Sequence, residues 1–397
     1  MRFIALNKVN NKSIGDAFYF ETLIKNEKKC VLVDGGRVIR GFTNLLISNT
    51  GVKTLDVVAC THDDADHTYG IIDLLNNPQK IKIKEIWLPL NWMHFKDVVT
   101  EYKEDIDKLK EDLKSPKIYK FIKKHKEYEV NFDEKINFED VEYYRVDTEE
   151  LSEVSSSLID NNEEFFKELE KEIQGKEDDQ EISEVITKVY HTLNNIFKIA
   201  NLAKKNGIKI RWFNYQEVDK KIFFDDKEEP LIPLNSKEIF RIRKKREPLL
   251  FLLKAVLSKV NIESLVFCSN HQNKCLIGKI FFTSDSNLEK KELNKFYLTN
   301  NSIITVPHHG SQNNFDAFLR IERILTKPYF YNDIIWVCGQ NSAVTLGSWY
   351  INDIRKYGKK YCTNCEKQSL KFILGVCGWQ KYHSITESEC ICGKNYI

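Results

Sequence analysis

The order of apolar runs constrains this chain more than any other feature. From Met1 to Leu90, RFIAL, DAFYFETLI and KCVLVDGG read as short strands and RVIRGFTNLLIS as a helix; LDVVACTHDD and, after another short helix, IKIKEIWLPL read as further strands. Strands that alternate with helices predict an α/β layered core. After Gly207 the β pattern resumes with IKIRWF, SLVFCS, CLIGKIFFTSD, SIITVPHHGS and DIIWVCG. Between the halves the chain turns to Lys/Glu-rich stretches such as NNEEFFKELEKEIQ, with apolar residues at helical spacing. The expected division is a core over 1–90 and 207–358, a charged helical insertion over 91–206, and a small Cys-rich C-terminal module over 359–397. Charge runs in the insertion read as solvated helix faces, with a surface for a protein partner as the other reading.

Sixty basic against 58 acidic residues leave a net charge of +2, so any nucleic-acid contact must come from a local patch. Two basic runs qualify, Arg241 to Arg246 (RIRKKR) and Lys117 to Lys126 (KIYKFIKKHK), the latter interleaved with aromatics, although solvated helix faces are the simpler explanation of both. No apolar run approaches the roughly 18 residues of a spanning helix, and Met1 to Asn10 lacks a signal peptide's apolar core. The expectation is a cytoplasmic protein with no membrane partner. Ten cysteines without an export signal read as reduced thiols. Cys30, Cys60, Cys268, Cys275 and Cys338 sit in or beside apolar runs, as small hydrophobes do, whereas Cys362, Cys365, Cys377, Cys390 and Cys392 crowd the end. Cys362 with Cys365 and Cys390 with Cys392 have half-site spacing for a structural zinc; buried thiols and a redox pair are the alternatives.

Chemistry concentrates where strand runs end. Thr61-His62-Asp63-Asp64-Ala65-Asp66-His67 follows the apolar run LDVVAC. In extended chain His62, Asp64 and Asp66 share a face, and a turn into the next helix brings His67 beside them. Imidazole mixed with carboxylate suits zinc, manganese or iron, and this ligand density suits two ions. Asp285 ends the run IFFTSD, and His308 and His309 end ITVPHH. Three polar clusters on strand ends mark a crevice, because layered α/β proteins bind ligands there.

These motifs resemble the metallo-β-lactamase fold hydrolases, and among them the hydrolase domain of the ComEC competence proteins. The resemblance rests on Gly15-Asp16-Ala17, Val33-Asp34-Gly35-Gly36, His62 to His67, Asn261 to Val266, Phe282 to Asp285 and Val306 to Ser311, in that order. It implies a four-layered αββα fold. It also implies two divalent metal ions, Zn or Mn with Mg as a further option: His62 and Asp64 on one, Asp66 and His67 on the other, Asp285 bridging, and one of His308 and His309 ligating. Asp66, His67 and Asp285 would carry catalysis. Asp34 would orient a ligand histidine, and Ser311 would either hold a phosphate oxygen or cap the following helix. Asp64 stands where the wider superfamily has a histidine, which hardens the site toward manganese or magnesium. The family's next histidine has no counterpart in Phe223 to Leu257.

The implied function is hydrolysis of phosphodiesters, with DNA as substrate and a nuclease serving antiviral defence as the implied setting. Small-molecule hydrolysis of a thioester, lactone or cyclic nucleotide stays open. So does a non-catalytic binding module, or a partner-gated subunit of a larger complex.

Overall fold

Alternation of period two decides the first layer. β1 (Arg2–Ala5) turns Phe3 and Ala5 to one face and Ile4 to the other. Beyond a short antiparallel pair, β2 (Lys8–Val9) with β3 (Lys12–Ser13), the strands β4 (Phe18–Ile24) and β5 (Glu27–Val33) form a hairpin beside β1. Its two-residue turn puts Lys25 and Asn26 in the left-handed region, at φ 50 and 63, which matches strand twist. Next come α1 (Phe42–Thr50), β6 (Thr54–Ala59), α2 (Ala65–Leu75) and β7 (Lys82–Pro89). β5, β6 and β7 run parallel, as helical crossovers require. Asp73 of α2 caps α1 from outside: its Oδ2 accepts from the Thr43 N–H at 2.8 Å and the Thr43 hydroxyl at 2.6 Å.

The structure, a computed structural model, describes residues 1–9, 12–38, 40–90, 92, 98–99, 101–102, 105–127, 180–215, 228–238, 249, 252–253, 264–270, 278–288, 298, 301–326, 334–339, 346–366, 368–376 and 378–382. The remaining strands are β8 (Lys209–Tyr215), β9 (Leu231–Pro233), β10 (Ser236–Glu238), β11 (Phe267–Ser269), β12 (Ile280–Phe282), β13 (Ile303–Thr305), β14 (Ile334–Cys338), β15 (Gly358–Cys362), β16 (Leu370–Gly375) and β17 (Gly378–Lys381). Among the described residues one sheet has the order β10-β8-β7-β6-β5-β4-β1-β16-β17, and a second has β15-β14-β13-β12-β11-β9.

The two sheets pack face to face. Phe3, Phe20, Val31 and Trp87 of the first meet Phe267, Ile280, Phe282 and Val337 of the second in one buried cluster. Behind the second sheet, α3 (Phe315–Leu325) presents Ala317, Phe318, Ile321 and Leu325 to Val306, Ile304 and Trp336. Ile4, Tyr19, Leu32, Val58 and Ile86, on the outer parity of the first sheet, are also wholly buried. The layering is helix, sheet, sheet, helix, a mixed α/β architecture of the expected class.

Contacts divide the chain into two units: Met1–Pro89 with Lys205–Glu238 and Val260–Ile397, and Leu90–Lys204 with Ile239–Lys259. The second unit takes in Ile239–Lys259, a segment the sequence pattern assigns to the core. Its helices Ile106–Lys114 and Pro116–Glu127 are joined at Ser115, and the Asp105 carboxylate caps the first by accepting from the Lys108 N–H at 2.9 Å. Helix Gln180–Lys205 buries Val185, Val189, Leu193, Ile196 and Ile199 along one stripe. No helix among the described residues is long and apolar enough to cross a membrane.

The expected module from residue 359 is corrected by the strand pairing. β15 continues the second sheet beside β14, whereas β16 pairs with β1 and β17 with β16 in the first. Leu370, Phe372 and Trp379 join the core between the sheets, and Cys362 joins the cluster behind the second. Cysteine density suggests a separate module, but Cys362 is a small buried hydrophobe at a strand end. Cys365 is partly exposed beside it, and Cys377, Cys390 and Cys392 lie outside the described residues. Cys30, Cys60, Cys268 and Cys338 are buried.

Candidate metal centre

Strand ends of both sheets converge here. β6 delivers Thr61 and His62, and α2 begins at once: the Asp64 carbonyl accepts from the N–H groups of His67 and Thr68, both at 3.0 Å. That start places Asp66 in the first helical turn, where the helix dipole favours an anion. From the second sheet, β12 leads into Ser284 and Asp285, and β13 into His308 and His309. Ser284, His308 and His309 adopt left-handed backbone, at φ 49, 45 and 53. Each such residue costs on the order of 1 kcal/mol, a strain characteristic of functional sites. The His308 N–H donates to the Ser284 carbonyl at 3.0 Å and ties the two loops.

Close backbone approach seats the helix. A Cβ on Gly70 would stand 1.9 Å from the Gly35 carbonyl oxygen, and one on Gly35 would stand 2.4 Å from the Ile71 nitrogen. Only two glycines let this turn and α2 touch, and the Gly35 N–H then donates to the His67 carbonyl at 2.7 Å.

The side chains face one centre. Asp285 Oδ2 lies 3.5 Å from both His62 Nε2 and His308 Nε2, and its Oδ1 lies 3.6 Å from His67 Nε2. Asp64 Oδ2 is 3.5 Å from His62 Nε2, and Asp66 Oδ2 is 3.0 Å from His309 Nε2. Two ligand groups result, His62 with His67 and Asp285, and Asp16 with His67 and His309; within each, the donor atoms lie within 4.8 Å of one another. Donors bonded about 2.1 Å from one cation stand roughly 3.0–3.5 Å apart, which the pairs at 3.0 to 3.6 Å match.

The far ring nitrogens are held by acceptors, which fixes the tautomers. His67 Nδ1 lies 2.8 Å from Asp34 Oδ2, His308 Nδ1 lies 2.7 Å from Asn314 Oδ1, and His309 Nδ1 lies 2.5 Å from the Gly339 carbonyl. Asn314 donates its amide to the Asp285 carbonyl at 2.9 Å, so its oxygen must face His308. Each Nδ1 therefore carries the proton, and each Nε2 lone pair points inward. His62 Nε2, His67 Nε2, Asp285 Oδ1 and both Asp16 oxygens are buried without a hydrogen-bond partner. An unsatisfied buried polar atom costs about 1–3 kcal/mol, and a bound divalent cation removes several such costs together. The residues fit the metal.

Electrostatics agree with that fit. Burial raises Asp285, but the facing His308 and His62 outweigh it and hold its carboxyl well below the usual range. Burial lowers His62, but Asp285 and Asp64 hold it well above its ordinary value. His309 behaves alike, with Asp16 and Asp66 as the opposing carboxylates.

Residues 20–165 match the sequence model of the metallo-beta-lactamase superfamily. No curated protein matches the chain. The matched span contains Asp34 and His62 to His67 and ends before Asp285 and the histidine pair. Superfamily members of this kind are metal-dependent hydrolases, and the His/Asp groups described above can hold the metals.

Of the residues named from sequence, His62, Asp64, Asp66, His67, Asp285, His308 and His309 meet at this centre. Both members of the histidine pair present Nε2 to it, where sequence reasoning expects one. Asp34 orients His67 and also accepts from the N–H and hydroxyl of Thr61, each at 2.8 Å. Ser311 Oγ accepts from the Asn313 N–H at 3.2 Å, which is the capping alternative. Asp16 is the residue to which sequence reasoning gives no role; Gly15-Asp16-Ala17 counts only as a motif of the resemblance until the fold brings Asp16 against His309.

Proposed function

We propose that this protein is a metal-dependent phosphodiesterase that cuts DNA. The observation that carries the proposal is the donor set: Asp64, Asp66 and Asp285 outnumber what an imidazole-rich zinc site offers, and hard carboxylates favour Mn²⁺ or Mg²⁺, the partners of phosphate oxygens. When bound, two such cations lower the pKa of water and neutralise charge that develops on the attacked phosphate. His62, Asp64 and His308 would hold one and Asp66, His67 and His309 the other, with the two oxygens of Asp285 facing both sets. Asp34, Asn314 and the Gly339 carbonyl keep the imidazoles aligned, so little reorganisation is needed when substrate arrives. Asp64 is 48% exposed and His308 16%, whereas Asp285 is 2% exposed, so substrate enters on the Asp64 side. The resemblance to the ComEC hydrolase domain supports DNA as that substrate. The basic run Lys117 to Lys126 lies in the second unit, and Arg241 to Arg246 lies outside the described residues.

The test is a digest of supercoiled plasmid and of single-stranded DNA with Mn²⁺, Mg²⁺, Zn²⁺ or Ni²⁺, wild type against an Asp66→Ala, His67→Ala double variant. Cleavage by the wild type with Mn²⁺ or Mg²⁺, lost in the variant, supports the reading. Hydrolysis of a lactone, thioester or cyclic nucleotide with DNA untouched would replace it with small-molecule chemistry.

A further inference from the structure

Asp16 occupies a turn between β3 and β4 that is pressed against the ligand loop. A Cβ on Gly15 (φ 76) would stand 2.7 Å from the Asp66 carbonyl oxygen, and the Asp16 N–H donates to that same oxygen at 3.2 Å. On its other side a Cβ at Gly339 would stand 2.4 Å from Asp16 Oδ1. The carboxylate is thus enclosed by backbone, with 1% of the residue exposed. No hydrogen bond reaches either oxygen. His309 Nδ1 stands 3.1 Å from Oδ1, but its N–H is directed to the Gly339 carbonyl at 2.5 Å.

A carboxylate buried this way must be neutralised by a proton or by a cation. A proton on either oxygen would need an acceptor, and the structure supplies none by hydrogen bond. A cation has ready partners, because an Asp16 oxygen, a His67 nitrogen and a His309 nitrogen lie within 4.8 Å of one another. Asp66 Oδ2, 3.0 Å from His309 Nε2, faces the same place. We infer that Asp16 is a direct ligand of the cation held by Asp66, His67 and His309. With Asp285 facing both sets, five donors then surround that position: Asp16, Asp66 and His67 from the first sheet's side and His309 and Asp285 from the second's. This inference rests on the two-cation reading proposed above and adds a residue that the strand-end motifs do not include.

Two measurements test it. The first is a Co²⁺ titration of wild type and Asp16→Asn, followed by bound metal per chain and by visible d–d absorption. Wild type should take two equivalents. The amide variant should bind the second at least about 100-fold more weakly, with a changed second-equivalent spectrum. Two equivalents with unchanged affinity and spectrum would overturn the inference, and so would weaker binding with an unchanged spectrum, since Asp16 would then act only through His309. The second measurement needs no variant: in wild-type crystals grown with Mn²⁺, anomalous scattering should place an Asp16 oxygen within roughly 2.3 Å of one cation. Two bound cations with Asp16 beyond bonding distance would overturn this inference alone. A wild type that takes up no cation would overturn the two-cation reading with it.

Discussion

Asp34 Oδ2 lies 2.8 Å from His67 Nδ1, and both oxygens of this buried carboxylate accept hydrogen bonds from Thr61. Thr61 donates its backbone N–H to one oxygen, while its hydroxyl and the imidazole N–H meet the other. An amide cannot satisfy that arrangement, because its NH₂ would face an N–H whichever way it turned. Asp34→Asn should therefore keep the fold but weaken metal binding by about 10- to 100-fold. Isothermal titration with Mn²⁺ checks this, and an unchanged affinity would remove Asp34 from the metal-holding apparatus.

Stability should depend on pH with opposite signs in the cation-free and loaded protein. Without cations, burial lowers His62 and His309, yet the facing carboxylates hold both above their ordinary values. A raised folded-state pKa stabilises fully below the unfolded value near pH 6.5 and is lost as pH rises through the folded value. Asp285, held low, contributes fully above about pH 4 and is constant across this window. The cation-free protein should thus lose stability as pH rises above about 6.5 and through the raised folded-state values. Cations compete with those protons, so the loaded protein should gain stability over the same range. Calorimetry in EDTA and in Mn²⁺ reads both slopes, and slopes of one sign would contradict the assignment of these histidines.

Ending the chain at Tyr357 should abolish folding. That truncation removes an edge of the second sheet and two strands of the first, with buried Cys362, Leu370, Phe372 and Trp379. Large core side chains contribute about 2–5 kcal/mol each, so losing Leu370, Phe372 and Trp379 alone is comparable to the roughly 5–15 kcal/mol that holds a domain folded, before the lost strand pairing is counted. Far-UV circular dichroism and soluble yield report the outcome; a soluble, cooperatively unfolding product would restore the idea of a separate module.

Legibility followed how local each signal was. His62, Asp64, Asp66 and His67 could be read because strand periodicity and an immediate helix start gather them within six positions. Asp285 and the histidine pair could be read as strand ends. That both histidines face inward could not, since it depends on two consecutive left-handed residues, a conformation rare even for histidine, which adopts it more readily than most residues. Asp16 was hidden for a different reason: its partners Asp66, His309 and Gly339 come from three distant loops. The runs KFILGV and WQKYHSI do supply a hairpin, β16 with β17, but its place in the first sheet is not legible, because β16 pairs with β1 at the opposite end of the chain while the neighbouring cysteines supply a stronger local pattern.

In the proposed function one carboxylate, Asp285, serves two cations in phosphodiester hydrolysis. Its Oδ2 faces His62 and His308, and its Oδ1 faces His67, from 2% exposure. The most direct measurement compares initial rates of DNA hydrolysis in Mn²⁺ for wild type and Asp285→Asn, with circular dichroism confirming an intact fold. The expected loss is on the order of 10²-fold or more, as when a principal charge-stabilising group is removed; a variant that cuts DNA at the wild-type rate would remove Asp285 from that role.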